Sequence, residues 1–288
     1  MKKMSRFLAL ATALVMLLAL CACGGGTRSA NTPDFETIMQ EAQEKMGEVK
    51  SMHMDMDMDL SMELGVMGQN QKLDMRVYYS LDVQTEPARS KLVITTSAMG
   101  QSQEMTMYTD EDGMAYLSTD GRNWQRSSAS QAEETMGGPD PGDTLELFTK
   151  NASSFTKTGS ETINGSPATV YSGVLSGEYV EEVLKTTGMD SSLGSLLGTE
   201  DLGDAFKDLG EIPMTIAIDD ASGLVGRYTL DMAQVMENLM KNLFTSILAS
   251  QGMSGINIEI KLDKCMCTAT LSQFNSVPEI VIPDEAKG

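Results

Sequence analysis

The chain has 288 residues, of which 41% are hydrophobic, and its formal net charge at pH 7 is −20. This length suits one large domain or two small ones, and the hydrophobic content is enough for a core. The negative charge argues against nucleic acid as a partner, because phosphate backbones require a basic protein surface. It argues equally against electrostatic attachment to anionic lipid.

Residues 1–22 have the plan of a signal peptide. Lys2, Lys3 and Arg6 give a basic start, and residues 7–20 form an apolar run without charge. This run is shorter than the roughly 20 residues that a membrane-spanning helix needs. We therefore expect export across the cytoplasmic membrane, and a transmembrane anchor is disfavoured.

A lipid-attachment signal follows, because Leu20-Cys21-Ala22-Cys23 resembles a lipobox. Such a signal has an aliphatic residue three positions before the modified cysteine and a small residue directly before it. Cys23 meets both conditions, whereas Cys21 directly follows the bulky Leu20. We predict a diacylglycerol on Cys23 that holds the protein on the extracytoplasmic face of the cell membrane. Ordinary secretion after cleavage near Ala22 is the alternative.

The rest of the chain divides into a short linker and one domain. Residues 23–32 contain consecutive glycines and are predicted to be a flexible linker. Residues 33–288 are predicted to form the domain. Thr32 is the predicted N-cap of a helix, with Pro33 at its first position. Apolar residues at helical spacing extend this amphipathic helix over residues 33–49.

Apolar and polar side chains alternate over residues 51–64. The apolar members are Met52, Met54, Met56, Met58, Leu60, Met62 and Leu64. A period of two predicts a half-buried strand with one covered face and one wet face that carries aspartates. Residues 73–83, which include Met75 and Tyr79, alternate again after a turn and predict a second strand.

Turn residues divide the remainder into further elements. Strands are predicted at residues 90–98, 102–109, 114–119, 154–161, 167–175, 212–219, 224–231 and 255–272, with an edge strand at 279–282. A loop is predicted at 127–143, and helices at 144–150, 177–209 and 232–251. Helices do not alternate with single strands, which disfavours a doubly wound parallel sheet. We predict an α+β fold, with one large curved antiparallel sheet and helices covering its concave side.

Several of these features together resemble a family of uncharacterised Gram-positive lipoproteins, grouped with the LolA-like and mycobacterial LppX/LprG-like lipoproteins. The features are the lipobox, the helix 33–49, the strand Met52–Asp59, the hairpin residues Asp112-Gly113, Asp120-Gly121 and Trp124, the segment Ile218–Tyr228 and the ending Leu271–Pro283. The resemblance spans nearly the whole mature chain. It implies a half-barrel sheet closed by helices around an apolar cavity. Better-known relatives carry lipoproteins or lipids, and the resemblance supplies no catalytic residue.

Residues that could support catalysis or bind a metal form no known pattern. His53 is the only histidine, and no Gly-x-Ser-x-Gly elbow accompanies it. Residues 55–66 open like a calcium loop but lack the required Gly and Glu. Cys265 and Cys267 do not form a zinc spacing with His53. Their spacing on one strand is too long for an ordinary disulfide, so we expect mostly reduced thiols, with a bridge only if the strand is bulged. We expect no metal, no cofactor and no enzymatic activity.

The alternating apolar residues of Met52–Leu64, which we call the methionine stripe, could have three roles. Thioethers can bind Cu(I), apolar strand residues can pack an ordinary core, and adaptable methionines can line a cavity for variable acyl chains. The third interpretation predicts as cavity-lining residues Met52, Met54, Met56, Met58, Leu60, Met62, Met75 and Tyr79. We expect a monomeric lipoprotein that binds a lipid or another apolar ligand. The alternative is a structural or protein-interaction module with a filled core.

Overall fold

The computed structural model describes five segments of the chain, which are residues 34–66, 69–128, 154–178, 207–250 and 258–287. Several predictions lie outside the described residues, namely the signal peptide, Cys23, the linker, most of the loop at 127–143, the helix at 144–150 and most of the helix at 177–209.

The described residues contain an eleven-stranded sheet. Its strands are β1 Ser51–Val66, β2 Gln69–Thr85, β3 Ala88–Ala98, β4 Gln101–Thr109, β5 Met114–Ser118, β6 Gln125–Ser128, β7 Thr156–Ile163, β8 Ser166–Leu175, β9 Ile212–Asp219, β10 Val225–Asp231 and β11 Ile258–Ser272. All but β6 match predicted strands. The prediction that the loop begins at residue 127 is wrong, because residues 127 and 128 belong to β6. This polar strand forms by hydrogen-bonded pairing with β5.

The strands follow the order β6-β5-β4-β3-β2-β1-β11-β10-β9-β8-β7. Tight turns containing left-handed residues, such as Gly113 and the pair Asn164-Gly165, join neighbouring strands into hairpins. β11 returns to pair with β1 and joins two meanders at the centre of the sheet. Each of β6 and β7 pairs with one described strand, which leaves the sheet open. The predicted large antiparallel sheet is confirmed.

Helix α1 spans Phe35–Gly47, so the predicted helix at 33–49 is too long at both ends. The N-cap is Asp34, and the predicted cap at Thr32 is wrong. The Asp34 carboxylate accepts a hydrogen bond from the backbone N–H of Thr37 at 2.9 Å. A carboxylate at this position satisfies an unpaired N–H group and interacts favourably with the positive end of the helix dipole.

We call the face of the sheet that carries Met54 the inner face, and the face that carries Asp55 the outer face. Helix α1 packs on the inner face through buried residues including Met39 and Met46, which share one core with Met54 and Leu271. Helix α2, Ala233–Ser250, covers the same face and packs on Ile260, Leu262 and Cys265 of β11. Helices α1 and α2 therefore confirm the predicted coverage of one side.

The last described residues, 277–287, form a C-terminal strap on the outer face. The side chain of Gln84 accepts from Ile280 N at 3.0 Å and donates to Pro278 O at 3.1 Å. Arg89 donates to Ile280 O at 3.2 Å. The prediction of an edge strand at 279–282 is therefore wrong. This backbone forms its hydrogen bonds with side chains of β2 and β3 and not with a neighbouring strand.

The strap ends in a short helix, α3, at Asp284–Lys287. Ile282 and Ala286 pack on Tyr116, which lies on the outer face of β5. Arg126 donates to the carbonyl of Ala286 at 2.9 Å. The short helix α3 therefore docks on the face of the sheet opposite to α1 and α2.

Two adjacent strap residues give a direct test of this packing. Ile282 is 4% exposed and Val281 is 67% exposed. Ile282→Ala should lower the free energy of unfolding by about 2–5 kcal/mol, because it removes buried methyl groups. Val281→Ala should change it by less than about 0.5 kcal/mol. Urea unfolding of both variants measures the difference, and equal effects would show that the strap is not docked.

Candidate ligand-binding surface

The predicted cavity-lining residues lie together on the inner face. In the register of β1 and β2, Met56 pairs with Tyr79 and Leu60 pairs with Met75. Because side chains two apart on a strand share a face, this register collects all eight residues, which are Met52, Met54, Met56, Met58, Leu60, Met62, Met75 and Tyr79. Contact with a ligand stays a prediction for each of them.

The first two residues of the stripe belong to the packed core. Met52 and Met54 are 3% and 2% exposed and lie in the same cluster as Phe35 and Met39 of α1. Met54 is flanked by Leu81 on β2 and by Leu271 on β11. These two methionines therefore fill space between the sheet and α1.

The stripe becomes more exposed along β1. Met56 and Met58 are half-buried, as are Leu60 and Met62. Leu60 and Met62 contact the cluster that includes Leu262 on β11 and residues of α2. Among the residues that the structure describes, α1 and α2 thus cover the two ends of the stripe more closely than its middle, around Met58.

Further residues extend this apolar surface beyond those predicted. Tyr79 pairs with Ile94 on β3, and Ile94 pairs with Met105 on β4. Val77 and Leu92 lie on the same face, and all five side chains are half-buried. The alternation of apolar and polar residues within 73–83, 90–98 and 102–109 could have identified these residues from the sequence. The short turns between the strands set the register that aligns them.

Two cysteines complete the inner face beside the stripe. Cys265 pairs with Leu60 and Cys267 pairs with Met58, and both are buried free thiols. Burial raises the pKa of Cys265, and burial together with the Cys265 charge raises the pKa of Cys267 to about 11. Burial also raises the pKa of the Tyr79 phenol. All three groups are therefore neutral near pH 7, which suits an apolar surface.

The outer face carries the aspartates of β1, and each is paired. The partners are Tyr78 for Asp55, Arg76 for Asp57 and Lys264 for Asp59. The described ranges contain no group of three or more His, Cys, Asp or Glu side chains placed to hold a metal ion. Among the helices within those ranges, none has the length and apolar character needed to cross a membrane.

His53 lies between two carboxylates on the outer face. Its Nδ1 lies 2.7 Å from Asp82 Oδ1, and its Nε2 lies 3.1 Å from Asp55 Oδ1. Burial alone would lower the pKa of His53, but the hydrogen bond to Asp82 and the charges of both carboxylates outweigh it and raise the pKa. An imidazolium can donate to both carboxylates, whereas a neutral ring has one N–H.

This arrangement predicts a pH dependence of stability. Because the folded-state pKa of His53 lies above the unfolded value of about 6.5, its stabilisation is complete below that pH and is lost as pH rises through the folded pKa. Urea unfolding of wild type and His53→Gln near pH 6 and near pH 9 should show a larger wild-type advantage at the lower pH. An equal advantage at both would contradict a charged His53 in the folded protein.

The fold and this surface define a class of protein with an open antiparallel sheet whose apolar inner face is partly covered by helices. The profile described as "Family of unknown function (DUF6612)" matches residues 34–288. The chain belongs to this family, and the resemblance to an uncharacterised family predicted from its motifs is confirmed. No curated protein matches the chain.

Two solved structures are similar to the chain over most of their length. The Mycobacterium tuberculosis lipoprotein LppX is 14% identical, with 85% of this chain and 97% of that chain covered and a TM-score of 0.45. LprF from Mycobacterium bovis is 14% identical, with 88% of this chain and 99% of that chain covered and a TM-score of 0.45. Such distant likeness carries no argument about ligand or activity.

Proposed function

We propose that the protein is a monomeric, non-enzymatic lipoprotein on the extracytoplasmic face of the cell membrane that binds a lipid or another apolar ligand. A diacylglycerol on Cys23 supplies the anchor, and the inner face supplies the binding surface. The observation that carries the proposal is the continuous apolar surface of β1 to β4, centred on Met58, Tyr79 and Ile94, which remains half-buried in the folded protein.

Such a surface gains free energy when it is covered. Burial of apolar area contributes about 25 cal/mol per Å², so the part of this half-buried surface that solvent still reaches would gain free energy on contact with an apolar ligand. Methionine contributes flexible, polarizable side chains that adapt to ligands of variable shape. An acyl chain is long, apolar and variable, and it matches these properties.

The placement of the polar groups supports a binding role over a catalytic one. His53 lies on the outer face, and both of its ring nitrogens already face carboxylates. On the inner face, the thiols of Cys265 and Cys267 have raised pKa values because they are buried, which keeps them protonated and poorly nucleophilic.

A structural or interaction module is the second candidate function. The packing of Met52 and Met54 against α1 favours it, because that part of the stripe is filled by the protein itself. The two functions differ in what the middle of the inner face contacts: a lipid in the first, and only protein in the second.

Neighbouring residues of β3 provide a matched test. Ile94 points to the inner face and Val93 to the outer face, and both are half-buried. The protein is purified from membranes, washed, and extracted with organic solvent, which releases only lipid that is not covalently attached. Wild type and Val93→Asn should yield bound lipid, and Ile94→Asn should yield several-fold less because an amide is placed against the acyl chain.

Thermal melts of both variants control for folding. Lipid absent from wild type after purification and after incubation with oleate would contradict the binding function and favour the interaction module. Equal lipid yields from Ile94→Asn and Val93→Asn would show that the ligand does not lie on the inner face.

A further inference from the structure

Two tyrosines lie in one cross-strand row on the inner face. Tyr79 on β2 pairs with the half-buried Met56 on β1. Met56 pairs with Ala269 on β11, and Ala269 pairs with Tyr228 on β10. The tyrosines are therefore three strand spacings apart, or about 14 Å between their Cα atoms. Cys267 shares the inner face of β11 with Ala269, so it lies between the two tyrosines and beside the methionine stripe.

The hydroxyl of Tyr228 is a buried donor that lacks an acceptor within the described part of the chain. Tyr228 is 6% exposed, and no hydrogen bond joins its hydroxyl to another described residue. Buried hydroxyls are normally paired, because an unpaired one has lost its hydrogen bonds to water. A ligand that lies on the inner face can supply the missing acceptor.

Both phenols point toward the middle of the methionine stripe and are neutral donors. Burial and the charge of Cys267 raise the pKa of Tyr228, and the same two causes raise the pKa of Tyr79. The phenols of both residues therefore approach Cys267, which pairs with Met58. Because both stay protonated near pH 7, each can donate one hydrogen bond.

The surroundings of the two phenols select an uncharged acceptor. The cross-strand partners of both tyrosines on the inner face are apolar, and they are Met56, Ile94, Ile216 and Ala269. A carboxylate placed here would be buried without a cation, which is costly. The carbonyl oxygen of an ester accepts the same hydrogen bonds and brings no charge. An acyl ester therefore fits this surface better than the anion of a free fatty acid.

We propose that the inner face binds ester-linked acyl chains, with the hydroxyls of Tyr79 and Tyr228 donating hydrogen bonds to the ester carbonyl oxygens. The chains lie on the apolar surface around Met58. A free fatty acid can place its chain on the same surface, but its carboxylate then stays in water and both hydroxyls stay unpaired. This inference rests on the proposed lipid-binding function and adds to it the chemical class of the ligand.

The test loads the full mature protein, in detergent, with an equal mixture of dioleoylglycerol and its diether analogue. The analogue has chains of the same length but an ether in place of each ester, so it lacks both carbonyl oxygens. A parallel sample receives oleate. Mass spectrometry of solvent extracts measures the lipid that is bound without a covalent link. Wild type should favour the diester by about tenfold, which corresponds to about 1.4 kcal/mol.

Phenylalanine variants test the two hydroxyls, because each variant removes one oxygen and keeps the aromatic ring. Tyr79→Phe and Tyr228→Phe should each reduce the preference for the diester, and the double variant should abolish it. Binding of the diether should stay unchanged, since the apolar contacts remain. Tyr78→Phe is the matched control, because Tyr78 lies on the outer face, where its hydroxyl donates to Asp55. This variant should keep the wild-type preference, and thermal melts check the folding of all four.

The outcomes separate the ester site from the proposed function. Equal binding of the diester and the diether by wild type, or a full preference in the double variant, would overturn the ester site and leave the proposed function intact. Binding of oleate without either glycerolipid would have the same meaning. Failure of wild type to bind oleate and both glycerolipids would overturn the proposed function together with the ester site.

Discussion

Replacement of Met54 by aspartate is expected to unfold the protein. Met54 is 2% exposed and shares its core with Met39 of α1. Truncation of a buried methionine alone costs about 2–5 kcal/mol, and an unpaired buried charge adds a desolvation cost. Because domains are typically stable by only about 5–15 kcal/mol, Met54→Asp should lose the cooperative thermal transition measured by circular dichroism.

The control for Met54→Asp is the same substitution at an exposed methionine. Met99 is 76% exposed, next to Gly100 at the tip of the β3–β4 turn. Met99→Asp should melt within a few degrees of wild type, because the new carboxylate stays in water. If Met54→Asp melted like Met99→Asp, the packing of β1 against α1 would be wrong.

Replacement of Cys23 by alanine is expected to abolish lipid attachment. Two acyl chains hold a protein stably on a bilayer, whereas one chain gives only reversible binding. Cys23→Ala cells should therefore contain an unprocessed, larger precursor or a released form, with no incorporation of labelled palmitate. Electrophoresis of membrane and soluble fractions after metabolic labelling measures both effects.

Cys21→Ala is the matched control, since it changes a cysteine of the same segment that lacks a small residue before it. This variant should be processed, labelled and retained like wild type. Normal labelling and retention of Cys23→Ala would instead assign the anchor to Cys21, and normal secretion without label in both variants would indicate an ordinary signal peptide.

Strand positions could be predicted from the sequence because each long strand alternates apolar and polar residues between turn residues. The segment Met52–Leu64 and its partner around Met75 and Tyr79 show this most clearly, and both strands form as expected. β6 could not be predicted, because Gln125–Ser128 have no apolar alternation and are held by pairing with β5. The docking of Ile282 and Ala286 on Tyr116 could not be predicted either, because these residues are far apart in the chain.

The sequence predicted which face of the sheet carries the candidate site, but it could not predict how fully the helices cover that face. Period-two alternation assigned eight residues to one side of the sheet, and the register agrees. It could not separate Met54, which α1 covers fully, from Met58, which remains half-buried. The continuation through Ile94 and Met105 required the pairing of three strands.

The sequence by itself determined which side chains share a face, because strand geometry turns alternation directly into sidedness. It also predicted a signal segment and a lipid anchor at Cys23, because signals of this kind are linear motifs. Only the tertiary structure decided how β11 joins β1, where α1 and α2 cover the inner face, and which charged side chains pair on the outer face. Those features depend on pairings between residues as far apart as Met54 and Leu271, and local pattern carries no information about such distant partners.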